Sequence, residues 1–181
     1  KNSIDEFNVF SEDLGDVTED VIRLRDQFCF PGMHVLQFDF ESIDLEKQRP
    51  HNSVLCTGTH DNDTLIGWFD SLPSDADDKT ILTKDKLLKH FKCEINEIHW
   101  KIIDYAFSSS SNIVIIPIQD IYGENSTARF NTPGTLSSNN WSWRFQDNKI
   151  SQSLKNKLAG LTKVHHRMSL KNSDLLNEEM I

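Results

Sequence analysis

The sequence is short of cysteine, short of positive charge and free of long apolar runs, and each shortage closes off a class of protein. Its three cysteines, Cys29, Cys56 and Cys93, are far apart and outside any Cys-x-x-Cys spacing. That pattern excludes a disulfide scaffold and argues against a structural zinc site, leaving buried free thiols in a reducing compartment as the expectation. Against 28 Asp and Glu stand 19 Lys and Arg, a formal net charge of −9 with no basic cluster. Such a chain is a poor match for nucleic acid or an anionic membrane surface, so neither partner is expected. No apolar run approaches the roughly 20 residues that span a bilayer, and the opening KNSIDEF has no signal-peptide core. A cytoplasmic location is therefore the default. The sequence also has no Gly-rich phosphate loop, no internal repeat and no clean linker. It lacks an initiator Met, so Lys1 is either a trimmed start or a point inside a longer chain.

What is present reads as one domain with a sizeable core, at 181 residues and 37% apolar. Four segments read as strands: 7–11, 34–40, 53–57 and 112–118. In the second, Leu36, Phe38 and Phe40 alternate with Val35, Gln37 and Asp39, and the fourth is apolar almost throughout. Continuous apolar strands suit a parallel sheet covered on both faces. Between them lie helical patterns. Thr18 is placed to cap a helix through Phe28 with Val21, Leu24 and Phe28 on one face. Leu65, Trp68, Phe69 and Leu72 share a face over 64–72, as do Ile95, Ile98, Ile102 and Tyr105 over 95–107. A last helix over 151–167 uses Leu154, Leu158 and Leu161, and the polar tail 169–181 is expected to fray. This alternation predicts an α/β fold with a parallel sheet. Residues 41–52 read as loop and are barely long enough for a parallel crossover.

The chemistry gathers where the predicted strands end. Glu12 and Asp13 follow the first, His60, Asp61 and Asp63 the third, Gln119 and Asp120 the fourth. In a (β/α)8 barrel the C-terminal strand ends carry the catalytic side chains. Carboxylates converging there point to glycosyl chemistry or to a metal site. Glycosyl transfer needs one carboxyl group to protonate the leaving oxygen and another to attack or stabilise the oxocarbenium-like carbon. The same residues also serve as helix caps in ordinary loops. A metal reading of His60, Asp61 and Asp63 lacks partner histidines, since His165 and His166 fall on the last helix. Trp141 and Trp143, in NNWSWR, either offer flat indole faces to sugar rings or cover the side of the fold.

Read in order, SEDLG at 11–15, PGMHVLQF at 31–38, TGTHDND at 57–63 and STARFNTPGT with NNWSWR at 126–144 resemble the amylomaltase family, the 4-alpha-glucanotransferases. The likeness covers roughly residues 8–168. It implies the C-terminal half of a (β/α)8 barrel over 1–168. It also implies a retaining enzyme of starch, glycogen and maltodextrin metabolism that moves an α-1,4-glucan to the 4-hydroxyl of another sugar. By the same resemblance Glu12 is the acid/base and Asp61 grips the sugar hydroxyls and stabilises the distorted transition state. His60 bonds the same ring, and Asp13, Phe38 and Asn131 line the glucan groove. No cofactor and no metal are implied.

The family's nucleophile is an aspartate on a strand upstream of SEDLG. Only 11 residues precede Glu12, and Asp5 among them lies before the strand. The chain is thus expected to be inactive without the N-terminal part of the same barrel, which joins the α-1,4-glucan as its partner. The alternative from another class is a non-catalytic α-glucan-binding remnant. A whole barrel takes about 250 residues, so the one-domain reading gives way to half a barrel. Alone, such a half would leave a sheet edge unpaired and be prone to aggregate. Glycans on the sequons at Asn62, Asn125 and Asn140 would obstruct a glucan groove, which again favours a cytosolic or organellar home.

Overall fold

Three apolar stretches lie side by side as parallel strands: β1 (Gly32–Val35), β2 (Ser53–Cys56) and β3 (Ile113–Ile115), in the order β1-β2-β3. The computed structural model that shows this describes residues 9–42, 45, 48–145 and 150–168. The register sets Val35 opposite Cys56 and Cys56 opposite Ile115, so the strands end level. Whatever follows them is delivered to one edge of the sheet. Ser11 adds an isolated parallel bridge to Gly32, which extends the sheet by one more segment in chain order. The α/β fold with a parallel sheet is therefore as the sequence predicts. All four residues of β2 are buried, as befits a strand covered on both faces.

Two predicted strands end early. The segment 34–40 leaves the sheet at Val35 and winds into α2 (Leu36–Glu41). Leu36 and Phe40 are four apart, so the residues that mark one strand face also mark one helix face, and both are buried. Phe38, expected to join them, is 49% exposed. The segment 112–118 pairs only through Ile115. Pro117 has no N–H for a ladder and instead opens α6 (Ile118–Tyr122). In the first predicted strand, residues 7 and 8 lie outside the described residues, as does the tail from Ser169.

The helices follow their caps. α1 (Glu19–Gln27) starts after Thr18 with Glu19 and Asp20 in its first turn, where the helix dipole favours negative charge. Its Val21, Leu24 and Phe28 face is present but uncovered. In α3 (Leu65–Ser71) the Thr64 hydroxyl accepts from Gly67 N at 3.0 Å. Thr83 caps α4 (Lys84–Phe91) in the same way, and only Leu87 of that helix is buried, too little apolar pattern to announce it. A 3-10 turn, Ile95–Glu97, leads into α5 (Ile98–Ser108), which buries Ile98, Ile102, Ile103 and Ala106.

Phe40 sits at the centre of the core. Its ring centroid is 5.7 Å from Tyr105, 5.9 Å from Phe91 and 6.1 Å from Trp68. Arg49 Nη2 donates to Asp39 Oδ2 at 2.8 Å in a buried pair, with its guanidinium 5.7 Å from the Tyr105 ring centroid. That pair anchors the stretch between α2 and β2, since removing either partner would strand a buried charge.

These elements belong to a unit spanning Lys1–Trp143; a second unit runs over Arg144–Ile181. The second holds α7 (Gln152–Val164), capped by Ser151 Oγ accepting from Leu154 N at 3.1 Å, with Leu154, Leu158 and Leu161 half-buried. Among the described residues, no helix is long and apolar enough to cross a membrane.

Candidate active site

The loop 58–64 joins β2 to α3 and carries His60, Asp61 and Asp63. Gly58 opens the loop and Gly67 lies just beyond it in α3, and both pack tightly against neighbouring side chains. A Cβ on Gly58 would meet Gln37 Nε2 at 2.9 Å, and one on Gly67 would collide with Ser126 Oγ and the Asp63 carboxylate. Gln37 Nε2 donates to Asp63 O at 2.9 Å, while Asn62 Oδ1 accepts from Thr59 N at 2.9 Å and closes the turn. Asp63 is fully engaged, accepting from Thr64 N at 2.8 Å and from Ser126 Oγ at 2.7 Å.

Asp61 is held differently. Its Oδ1 accepts from Asn131 Nδ2 at 2.6 Å, and its carbonyl accepts from Arg129 Nη2 at 2.7 Å. Arg129 Nε also donates to Asn131 O at 2.8 Å, so one guanidinium aligns both residues. The Asp61 side chain remains 43% exposed, fixed on one side and open on the other. A pre-oriented carboxylate facing solvent is suited to accept hydroxyl groups from a ligand.

That open side faces a cleft of about 720 Å³, lined among others by Glu12, Phe38, Glu41, Asp61, Asp63 and Trp68. Glu12 reaches it from the stretch after Ser11, and Phe38 from α2. Trp68 Nε1 donates to Glu41 Oε1 at 2.8 Å, which anchors a third carboxylate on the rim. Beneath, at the end of β2, burial and then the charge of Glu12 push the Cys56 thiol up to about 11. Cys56 is therefore a neutral packing residue at neutral pH.

Asp13 does not line the cleft. Its Oδ1 accepts from Met33 N at 2.6 Å and its Oδ2 pairs with Arg25. Burial pushes this carboxyl up, but Met33 N–H and Arg25 outweigh it and hold it below the usual carboxylate range. His60 stands beside Asp61, with Nε2 3.5 Å from Asp61 Oδ1, and lines a neighbouring cavity of about 310 Å³ with Asp120, Phe130 and Trp143. Its ring is 5.2 Å from that of Trp141, which meets Phe130 edge-on at 5.1 Å. Trp141 is 52% exposed and has a left-handed backbone (φ 61°), a strained conformation for a bulky residue. Trp141 N donates to Phe130 O at 2.8 Å and helps to hold it.

Asp120, on α6, is almost wholly buried. Burial drives its carboxyl up, two hydrogen bonds pull it down, and the charge of Asp63 raises it again, leaving it at about 6. Among the described residues, no group of three or more His, Cys, Asp and Glu side chains could hold a metal ion.

Of the six residues singled out from the sequence, Glu12, Phe38 and Asp61 meet in one cleft. Asn131 is bonded to Asp61, His60 flanks it, and Asp13 is drawn away. Sequence reasoning did not single out Gln37, Glu41 or Arg129. Arg129 stands two positions before Asn131 in STARFNTPGT, and Gln37 immediately precedes Phe38, so both lie inside the recognisable blocks.

A family model described as 4-alpha-glucanotransferase matches residues 1–151. The 4-alpha-glucanotransferase of a Synechocystis strain is 39% identical over 169 residues, covering 90% of this chain and 32% of that protein. The chloroplastic/amyloplastic 4-alpha-glucanotransferase of Solanum tuberosum is 44% identical over 147 residues, or 78% of this chain and 24% of that one. The amylomaltase of Streptococcus agalactiae, solved in complex with acarbose, superposes with a TM-score of 0.79 at 25% identity, over 92% of this chain and 33% of that one. The chain spans about a quarter to a third of the length of these relatives.

Proposed function

Because the chain belongs to the 4-alpha-glucanotransferase family, we propose that it forms the C-terminal half of a (β/α)8 barrel that transfers α-1,4-glucan segments between maltodextrins. The observation that carries this reading is the meeting of Glu12, Asp61 and Phe38 in one cleft beyond the level ends of parallel strands. Spatial order equals chain order from Ser11 through β3, as successive strands of such a barrel require. The uncovered Val21, Leu24 and Phe28 of α1, and Ile113 and Ile115 of β3, are surfaces that the remainder of the barrel would cover.

In the proposed reaction the bond from the anomeric carbon to the glycosidic oxygen breaks as Glu12 gives its proton to that oxygen. An aspartate on an earlier strand, upstream of this segment, takes the anomeric carbon as a covalent glycosyl ester. The 4-hydroxyl of an acceptor sugar then attacks, its proton returns to Glu12, and the aspartate leaves. Asp61 accepts hydroxyl hydrogen bonds from the ring held in the ester, strongest when that ring is distorted. Asn131 and Arg129 keep it aimed, and the exposed Phe38 ring packs on a sugar face. Asp13 acts on the groove indirectly, by holding the backbone at Met33. The 1–168 boundary and a cytoplasmic or plastid-like site of action belong to the same proposal.

The test is disproportionation of maltotriose by the intact protein. Wild type releases glucose and longer maltodextrins, while Glu12→Gln and Asp61→Asn each lower kcat by at least about 100-fold, on the order of losing a general acid or a transition-state contact. Wild-type-like turnover in either variant would overturn the assignment. Binding of acarbose by a wild-type protein that turns nothing over would make it a glucan-binding remnant instead.

A further inference from the structure

We infer that Asp120 is a positioning residue for the loop 58–64, joining the two ends of that loop so that Asp61 stands at a fixed place over the cleft. The inference rests on the role proposed above for Asp61. Asp120 is 1% exposed and follows β3, the neighbouring strand. Its Oδ2 accepts from Thr57 Oγ1 at 2.6 Å, where the chain leaves β2. Its Oδ1 accepts from Leu65 N at 2.7 Å, where the chain enters α3. One carboxylate thus spans both anchor points of the loop, with each oxygen engaged by one of them.

A capping role alone would not call for this arrangement. The first turn of α3 already has Thr64 accepting from Gly67 N, and a cap on Leu65 N requires no bond to Thr57. Burying a carboxylate is costly, and such groups persist where they are fully paired and specify one geometry. The surroundings give that geometry a use. Asp120 belongs to a stretch, 118–131, that holds the loop at five points. Asp120 takes Thr57 and Leu65, Ser126 takes Asp63, and Arg129 and Asn131 take Asp61. Gln119 Nε2 donates to Ala128 O at 3.4 Å and ties the two ends of this stretch together. With Asp120 in place, the ends of the loop and Asp61 are referred to the same support. Without it, Asp61 keeps its partners but its flanks are released.

The experiment uses two variants of the intact protein, Asp120→Ala, which removes both acceptor oxygens, and Thr57→Val, together with the double variant. Amide hydrogen exchange is read at residues 60–63, and kcat and KM are measured on maltotriose. Each single variant is expected to speed exchange in the loop at least tenfold while leaving β1 and β2 protected. Each should lower kcat tenfold or more, with KM changed less than threefold. The double variant should be no worse than the worse single one, since both remove the same clamp. Loop exchange at the wild-type rate, kcat within twofold of wild type in either variant, or losses that multiply in the double variant would each overturn the inference. Thr57→Val decides alone if Asp120→Ala does not fold. If the wild type transfers no glucan, the role of Asp61 fails, and loop exchange by itself still decides whether Asp120 clamps the loop.

Discussion

Asn131→Ala removes one hydrogen bond from Asp61, and the structure sets the size of the loss. The bond runs from a neutral amide to a carboxylate at 2.6 Å, a class with a net worth of about 1.5–3 kcal/mol. Asp61 is 43% exposed, so water replaces part of what the amide supplied, and the low end applies. A loss of about 1.5–2 kcal/mol in the transition state lowers kcat/KM roughly 10- to 30-fold. Asn131→Asp is the more revealing change. It sets a second carboxylate against the first, and two like charges about 4 Å apart repel by about 4 kcal/mol at an effective dielectric near 20. Solvent at this open site reduces that figure by about half, which still exceeds the cost of the deletion. Glucose release from maltotriose at pH 7 compares all three proteins. The reasoning is refuted if Asn131→Ala stays within twofold of wild type, or if Asn131→Asp outperforms it at pH 7.

Two further outcomes concern stability. Phe40 is fully buried among three aromatic rings, so Phe40→Ala should cost about 4 kcal/mol and lower Tm by roughly 10 °C. Calorimetry showing a drop under about 3 °C would mean that the cluster is not the core. The Asp120 carboxyl, raised in the fold from 3.8 to about 6, binds its proton more tightly there than in the unfolded chain. Its contribution is therefore present in full below about pH 4 and is lost as pH rises through 6, on the order of 3 kcal/mol. Asp120→Asn removes that slope, and urea titrations at pH 4 to 7 giving the same slope for both proteins would contradict it.

Residues alone settled the class of this protein. Apolar runs within 53–57 and 112–118, separated by helical spacing at 64–72 and 95–107, have few solutions other than a parallel sheet flanked by helices, because each element must bury its apolar face. Carboxylates at the strand ends marked the edge at which the cleft lies, and ordered motifs from SEDLG to NNWSWR pointed to the family. Local pattern could not separate a strand from a helix at 36–40, where spacings of two and four share Leu36 and Phe40. Nor did it announce α4, a surface helix with one buried residue.

The motif resemblance assigned expected roles to Asp61 and Asp13, but only the tertiary structure shows how each acidic residue is held. Asp13, Asp61 and Asp120 are alike in sequence, each an aspartate near a strand end. Folding gives Asp13 to Arg25 and Met33, buries Asp120 between Thr57 and Leu65, and leaves Asp61 half open beside Asn131. The contacts that make this division join residues up to 70 positions apart. No local pattern encodes them, because a hydrogen bond across that distance depends on where packing brings its two ends. Composition and periodicity placed carboxylates at the ends of a parallel sheet, the motifs gave Asp61 its expected role, and the packing of 118–131 against the loop 58–64 fixes how each carboxylate there is held.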